Sequence, residues 1–458
     1  MTFSLAEDMG LELDDEEPIL PQRGNCAAMT YVLVKLQSLM TASILTLCVL
    51  LTPGCAPRTS PPDGKTLLVF KHSKLFGDPE PLRALLNAFE REHPRLEVRE
   101  ETLPSSSDDQ HQFYAINLQA QSAAFDVLAV DVIWVAEFAR AGWLRDLSAL
   151  LPVSAREEFF TAPVAAAVYD DRAYAIPWFV DAGLLYFRRD LLERYGFAPP
   201  KTWGDLVHIA SVIKRAELGM QGFVWQGKQY EGLVCNALEY VWSNGGDVLV
   251  DGRPAIDSES NREALRFMAG LTAKDGVTPA SVTTATEEPS RHVFGQGHAV
   301  FLRNWPYAWN LFQQAGSPVK DKVGITVLPH FPGHGSASTL GGWHLAVNRW
   351  SKHAQDADAL IAYLTSADSQ RQLALAYGFQ PSRRALYSDA ELLARHPFLA
   401  TLAPVFASAR ARPVSPDYVR LSLVLQSEFS AIVSGVRTPE EALSRAQRDL
   451  ERIIGDEH

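Results

Sequence analysis

From residue 67 onward the sequence switches repeatedly between short apolar runs and amphipathic stripes, and this alternation constrains the fold more than any other feature. Residues 67–70 form a continuous apolar run, which predicts a buried strand. The apolar residues Leu82, Leu85, Leu86 and Phe89 follow with the i, i+3, i+4, i+7 spacing of a helix packed on that strand. Strands that alternate with helices in this way predict an α/β protein.

The same pattern predicts further elements along the chain. The predicted strands are 67–70, 96–98, 125–130, 184–187, 223–225, 299–302, 323–326 and 345–347. The predicted helices are 81–91, 133–141, 190–195, 203–216 and a last helix after Thr438. Thr438, Pro439 and Glu441 have the order of a capping box with proline at the first helical position. A chain of 458 residues is about three times a domain of ~150 residues, which favours several lobes and a cleft between them.

The first 55 residues differ from the rest, with seven acidic and only two basic side chains. The apolar stretch at 39–51 is 13 residues long. It is too short for a bilayer span of ~20 residues and typical of the apolar part of a signal peptide. It ends close to Cys55 in a setting that resembles a bacterial lipoprotein processing box, so we predict lipidation of Cys55. Plain signal-peptide cleavage and a buried apolar helix are the alternatives, and Met29 and Met40 are alternative translation starts.

Charge and cysteine content narrow the possible partners. Residues 56–64 are rich in Pro, Ser and Gly, which predicts a tether between an anchor and the folded domain. Without the residues before Cys55 the chain has 40 basic and 47 acidic side chains, a net charge of −7. An acidic surplus without any basic run argues against a nucleic-acid partner. Only Cys55 and Cys235 remain of the four cysteines, so an intramolecular disulfide framework is excluded.

Motifs for catalysis and cofactor binding are missing. The sequence contains no HExxH, no GxSxG, no P-loop and no complete GxGxxG. His330 and His334 are four residues apart, but the Pro332-Gly333 pair between them is incompatible with a helical metal site. Acidic pairs such as 108–109 are common on solvated turns, so a glycosidase that uses them is a minor alternative. We therefore predict no enzyme activity, no cofactor and no metal.

Aromatic side chains stand beside polar ones in three segments at predicted strand ends, residues 177–181, 303–309 and 341–344. Ligand sites of open α/β sheets lie where such segments converge. A sugar suits this chemistry because its C–H face packs on an indole while its hydroxyls bond to arginine and carboxylates. Gly342 directly before Trp343 favours a close approach of the backbone to a ligand. The alternative is that the tryptophans only fill an interface between lobes.

Four stretches resemble the extracellular solute-binding proteins of ABC transporters, in the family (family 1) that includes maltose- and trehalose-binding lipoproteins. The stretches are FDVLAVDVIW at 125–134, VDAGLLYFRRDLL at 180–192, NWPYAW at 304–309 together with GGW at 341–343, and ARPVSPDY at 411–418. They follow the family's order and span nearly the whole chain after residue 67. Agreement over that length is much more specific than any single motif.

The resemblance implies a periplasmic-binding-protein type II fold, in which two α/β lobes are joined by a hinge and the ligand binds in the cleft between them. It implies that lobe 1 comprises residues 65–178 and 328–376. Lobe 2 would comprise residues 179–327 and 377–458, including the C-terminal helices.

The resemblance also implies which side chains bind the ligand. The implied site residues are Asp131 and Asp181 for sugar hydroxyls, Trp305 and Trp343 for stacking, Gly342 for backbone contact, Arg412 from the C-terminal loop, and Phe179, where relatives often show Tyr. Loop capping is the alternative role for the two aspartates. Residues 105–114 are a weaker candidate for polar contacts from the first lobe.

The implied function is that of the extracytoplasmic substrate-binding component of an ABC importer. Such a protein binds a carbohydrate, here a disaccharide such as trehalose or maltose, and delivers it to the permease subunits and their ATPase. The chain is expected to be exported, lipid-anchored and monomeric. The alternatives are a binding protein for glycerol phosphate or a polyamine, and an exported glycoside-acting enzyme.

Overall fold

The computed structural model describes residues 64–399, 402, 405–406 and 409–455. The predicted signal peptide, Cys55 and all of the predicted tether except Gly64 lie outside these residues. No helix in the described part of the chain is long and apolar enough to cross a bilayer.

A six-stranded sheet, called the larger sheet below, has the strand order β14-β6-β13-β3-β1-β2. Its strands are β1 (Thr66–Ser73), β2 (Leu96–Leu103), β3 (Val127–Asp131), β6 (Ile176–Ala182), β13 (Leu340–Val347) and β14 (Gln380–Pro381). β1 pairs in parallel with β2 and β3, whereas β13 runs antiparallel between β3 and β6. The carboxyl end of β3 therefore lies beside the amino-terminal half of β13.

A four-stranded sheet, called the smaller sheet, has the order β12-β7-β11-β8. Its strands are β7 (Leu184–Arg188), β8 (Gln221–Val224), β11 (Ala299–Asn304) and β12 (Val323–Thr326). Two short antiparallel pairs complete the strands: β4 (Val168–Tyr169) with β5 (Arg172–Ala173), and β9 (Leu249–Val250) with β10 (Arg253–Pro254).

Helices pack on both sheets. They are α1 (Glu80–Glu92), α2 (Ser107–Gln119), α3 (Val135–Arg140), α4 (Thr161–Ala167), α5 (Arg189–Arg194), α6 (Trp203–Ala216), α7 (Glu231–Ser243), α8 (Glu259–Ala273), α9 (Glu287–Gly295), α10 (Ala308–Phe312), α11 (Ala354–Leu364), α12 (Ala367–Tyr377), α13 (Ala390–Arg395), α14 (Tyr418–Val433) and α15 (Pro439–Gly455). Helices α1, α2, α11 and α12 share a buried apolar cluster with the larger sheet, and α6, α7, α8, α14 and α15 share another with the smaller sheet.

The predicted helix signals agree with these bounds. The apolar stripe predicted for α1 is the set of residues that the helix buries. At the start of α15 the Glu441 N–H donates to Thr438 Oγ1 and the Thr438 N–H donates to Glu441 Oε2, both over 3.2 Å. This reciprocal pair is the predicted capping box.

Several helices and most of one strand were not predicted, including α8, although its buried Ala264, Leu265, Met268 and Leu271 have helical spacing. The sequence did not predict α2, α7 or α8, and it predicted only the last three residues of β13. The predicted lobe boundary at 178/179 falls inside β6, all of which belongs to the larger sheet. β14 also pairs in the larger sheet although 377–458 was predicted to join lobe 2. Strand pairing decides these positions, and local sequence does not encode which sheet a strand joins.

Gly183 is the single residue between β6 of the larger sheet and β7 of the smaller one. A Cβ atom there would overlap the carboxylate of Glu239 and lie 2.5 Å from the guanidinium of Arg303. Ser338 Oγ donates to the Gly183 carbonyl over 2.8 Å, and the Arg410 N–H donates to the Ser338 carbonyl over 2.9 Å. Three chain segments therefore meet where the chain passes from one sheet to the other.

Candidate functional site

Strand register brings four of the predicted site residues onto one face of the larger sheet. Trp343 of β13 lies opposite Asp131 of β3 on one side and opposite Phe179 of β6 on the other. Two residues away, Gly341 lies opposite Asp181. Paired residues of antiparallel strands project to the same face, and so do residues two apart. Asp131, Phe179, Asp181 and Trp343 therefore share a face.

Trp343 is half-buried and held by a second indole. The ring of Trp134 meets it edge-on, with centroids 5.6 Å apart and an angle of 85° between the planes. Trp134 is itself buried and contacts the rings of His111 and Phe138. An aromatic ring that is fixed on one side and open on the other presents a defined flat surface to a ligand.

Trp305 comes from the other sheet, directly after β11, and is also half-buried. The guanidinium carbon of Arg303 lies 4.0 Å from its ring centroid, and its Nε1 donates to Glu287 Oε1 over 3.4 Å. Its ring edge lies 3.0 Å from the position that a Cβ of Gly341 would occupy. Trp305 thus extends from the smaller sheet to the face of the larger sheet that carries Asp181.

Arg412 is buried among carboxylates. Its Nη2 donates to Asp131 Oδ1 over 3.1 Å, and its Nη1 donates to Glu231 Oε1 over 2.7 Å. Tyr418 Oη also donates to Glu231 Oε1, over 2.8 Å, and Ser422 Oγ donates to the other oxygen of Glu231. Burial raises the pKa of Asp131 above its ordinary value, while the adjacent Arg412 opposes the shift. The predicted ligand-binding arginine and aspartate are therefore bonded to each other.

Asp181 differs from Asp131 because its carboxylate has no hydrogen bond or ion pair among the described residues. Burial, together with the charge of Asp131, raises the pKa of Asp181 to about 7. Arg303 opposes this shift, but Arg303 is bound to Glu239, with Nε 2.8 Å from Oε2. Asp181 is thus the predicted site carboxylate that is free to accept from a ligand.

Gly342 and Phe179 have structural roles that the sequence did not predict. Gly342 has a φ of +118°, and a Cβ there would lie 2.5 Å from the Phe179 carbonyl oxygen. The missing side chain thus allows β13 to approach the backbone of β6, which explains the glycine without a ligand. The Phe179 ring is buried and stacked on Phe379, with centroids 4.1 Å apart. Ligand contacts by these two residues stay predictions.

Sequence reasoning missed Glu231 and reached Asp108 only as part of the weaker candidate 105–114. Glu231 begins α7, and its backbone N–H lies near enough to the carboxylate of Asp108, in the first turn of α2, to favour the charged form of that carboxylate. Burial and the charge of Glu231 raise the pKa of Asp108 to about 6. Residues 105–114 had been singled out as polar, but no sequence pattern pairs them with α7. The one signal that points to Glu231 is chemical: an arginine such as Arg412, once buried, requires acidic partners that balance its charge.

Comparison with known proteins agrees with this architecture. Residues 75–371 match the family described as bacterial extracellular solute-binding protein. A protein of Deinococcus radiodurans named as a probable ABC transporter-binding protein is 38% identical over 363 residues, which cover 77% of this chain and 86% of that protein.

Solved structures share the fold over nearly their whole length. MalE3 of T. maritima with bound maltose is 42% identical, with a TM-score of 0.81 over 84% of this chain and 99% of that chain. A solute-binding protein of Thermotoga lettingae bound with α-D-tagatose is 25% identical, with a TM-score of 0.77 over 85% of this chain and all of that chain.

The chain belongs to the bacterial extracellular solute-binding proteins. Its fold is the two-lobed α/β fold of the type II periplasmic binding proteins, as the sequence predicted. It is a binding protein and not an enzyme, and the family acts outside the cytoplasm.

Proposed function

We propose that this chain is the substrate-binding component of an ABC importer and that it binds a carbohydrate, specifically a disaccharide such as trehalose or maltose. The observation that carries the proposal is the meeting of two half-buried indoles and a free carboxylate. Trp343 and Asp181 lie on one face of the larger sheet, and Trp305 extends over Gly341 from the smaller sheet. Two flat rings and a hydroxyl acceptor are what a pair of linked sugar rings requires.

The relatives support this ligand class. MalE3, at 42% identity, was solved with maltose, and the Thermotoga lettingae protein, at 25%, with tagatose. A phosphate-bearing ligand such as glycerol phosphate is disfavoured because the two arginines at the site already bind carboxylates of the protein.

Binding closes the cleft in the proposed mechanism. Asp131, Asp181 and Trp343 belong to strands of the larger sheet, whereas Trp305 follows a strand of the smaller sheet. A ligand that contacts both sets has a higher affinity for the closed arrangement, and that difference shifts the open–closed equilibrium. We propose that the permease recognises the closed form and that its ATPase supplies the energy for transport.

We also propose that the chain acts as an exported monomer anchored through a lipid on Cys55. The support is the sequence around Cys55, followed by the Pro- and Ser-rich residues 56–64. Labelled palmitate should enter the wild-type protein and not the Cys55→Ser variant. Equal labelling of both proteins would exclude this anchor.

The ligand class is tested by tryptophan fluorescence of the purified full-length protein. The titrants are trehalose, maltose, sucrose, longer glucans, glycerol 3-phosphate and spermidine. A saturable change with a disaccharide, and recovery of that sugar intact, is expected. A response only to a charged titrant would overturn the proposed ligand class.

A further inference from the structure

The four carboxylates of the site have too few cationic partners to balance their charge. Asp108, Asp131, Asp181 and Glu231 lie close enough to act on one another's ionisation, in the pairs 131–181, 131–231 and 108–231. Arg412 is the one described cation bonded to any of them, and it is shared by Asp131 and Glu231. Two carboxyl groups, those of Asp108 and Asp181, are left without an ion-pair partner among the described residues.

The other cations near these carboxylates are already engaged. Arg303 acts on Asp181 but is bound to Glu239, with both side chains 2% exposed. His111 acts on Asp108 but lies 2.8 Å from Glu137. Both Nη atoms of Arg412 have carboxylate partners, whereas its Nε is buried without a hydrogen-bond partner among the described residues. An anionic ligand at this site would therefore meet unpaired carboxylates and no free guanidinium.

Asp181 occupies the critical position among these groups. It has no partner in the described structure, and it lies beside Trp305 and two residues along β6 from Phe179, the strand neighbour of Trp343. A sugar ring packed on Trp305 would lie beside Asp181, because the position of a Gly341 Cβ is 3.0 Å from the Trp305 ring and 3.3 Å from the Asp181 Cβ. A charged group placed there attracts or repels the Asp181 carboxylate even in water, and more strongly in a partly buried site.

We infer that Asp181 determines the charge of the accepted ligand, so that the cleft takes neutral sugars and amine-bearing sugars and rejects sugars that carry phosphate or carboxylate groups. This inference rests on the proposed carbohydrate-binding function and narrows its ligand class. A neutral sugar donates a hydroxyl hydrogen bond to Asp181, and a protonated amine adds an ion pair. A phosphate replaces that donor with a repelled anion.

The test compares sugars of matched shape at pH 8. Trehalose is titrated against trehalose 6-phosphate and against trehalosamine, its 2-amino analogue, and maltose is titrated against maltose 1-phosphate. We expect each phosphorylated sugar to bind at least about tenfold more weakly than its neutral parent. Trehalosamine should bind at least as tightly as trehalose. Equal affinity for a neutral sugar and its phosphate in the wild-type protein would overturn the inference.

Two variants assign the effect to Asp181. In Asp181→Asn the ratio between neutral and phosphorylated sugar should fall by about fivefold or more, even if all sugars bind more weakly. Asp251→Asn is the matched control, because Asp251 lies on an exposed turn and Asn tolerates its positive φ of 48°. If the ratio of affinities for neutral and phosphorylated sugar is unchanged in Asp181→Asn, another group selects against the phosphate and the proposed role of Asp181 is overturned.

Failure of the proposed function is distinguishable from failure of this inference. If no neutral sugar binds, the proposed function fails. In that case binding of glycerol 3-phosphate would overturn the charge selection as well, whereas binding of spermidine would agree with it. A protein that responds to none of these titrants would overturn both proposals.

Discussion

Arg412 Nη2 donates to Asp131 Oδ1 over 3.1 Å, so that two residues predicted to bind the ligand are hydrogen-bonded to each other. The same guanidinium also donates to Glu231, the first residue of α7. Asp131 ends a strand of the larger sheet, and α7 packs with the smaller one. The Arg412 side chain therefore connects the two halves of the site.

Arg412→Met should destabilise the protein by about 3–5 kcal/mol, because it leaves the buried Asp131 and Glu231 facing each other without a cation. Urea unfolding measures this loss. Adding Glu231→Gln to the variant should recover part of it, since one uncompensated charge is removed. Arg194→Met, which breaks the exposed pair with Glu217, is the control and should cost less than about 1 kcal/mol. Equal losses in the two single variants would contradict the bridging role.

Trp343→Ala and Trp305→Ala should each weaken sugar binding by about 1–3 kcal/mol while the fold persists. Each ring is half-buried, so the loss of ligand contact exceeds the loss of core packing. Isothermal titration and circular dichroism separate the two effects. Trp350→Ala removes a similarly half-buried ring after the far end of β13 and should leave affinity unchanged. Wild-type affinity in either site variant would remove that tryptophan from the site.

Neighbouring glycines of β13 should respond differently to alanine. At Gly342 the positive φ and the 2.5 Å contact of a Cβ with the Phe179 carbonyl predict a loss of stability of about 3 kcal/mol. At Gly341 the added methyl meets the Trp305 ring edge at 3.0 Å, so Trp305 must shift.

Gly341→Ala should therefore impair sugar binding more than folding, because the ring that must shift is the one that contacts the ligand. The clash of the added methyl with Trp305 is an overpacking cost of about 1–3 kcal/mol. Thermal melts and sugar titrations of both variants give the comparison. Gly335→Ala, where nothing lies within 4 Å of the added atom, is the control. The interpretation fails if the Gly342 variant melts like the control.

The contribution of His344 to stability should fall in mild acid, while Asp108 and Asp181, whose pKa values are raised, contribute in the opposite direction. His344 is fully buried, its Nε2 donates to the Pro163 carbonyl over 2.9 Å, and burial lowers its pKa to about 4. His344 in the unfolded chain binds a proton near the ordinary pKa of about 6.5, so its own contribution to stability is lost as pH falls from about 6.5 to 4. Between pH 7 and pH 5 this amounts to about 2 kcal/mol.

The measurement is the free energy of unfolding at both pH values. His344→Gln keeps a donor for Pro163 but does not titrate, so its stability should fall by about 2 kcal/mol less than that of wild type over this interval. His334→Gln changes an exposed loop histidine and should behave like wild type. A wild-type slope in the His344 variant would exclude His344 as the group responsible.

Local sequence patterns were sufficient to predict the bounds of elements whose caps and apolar stripes mark where they begin and end. The predicted bounds of α6 coincide with the observed helix, because Thr202 and Asp205 form a capping box and the apolar stripe ends with the helix. The strands 323–326 and 184–187 were likewise recognisable as short apolar runs, and family resemblance placed Asp131, Asp181, Trp305 and Trp343 near a cleft.

The sequence by itself thus determined the α/β class and many helix and strand positions, while the ligand contacts that the family resemblance implied stay predictions. The tertiary structure alone decided how the residues of the site are engaged. Only strand register shows that Gly342 fits the backbone of β6, and only packing brings Glu231 to Arg412 from a position 181 residues away. Caps and periodicity act between residues a few positions apart, whereas charge pairing and close backbone approach depend on distances that folding alone sets.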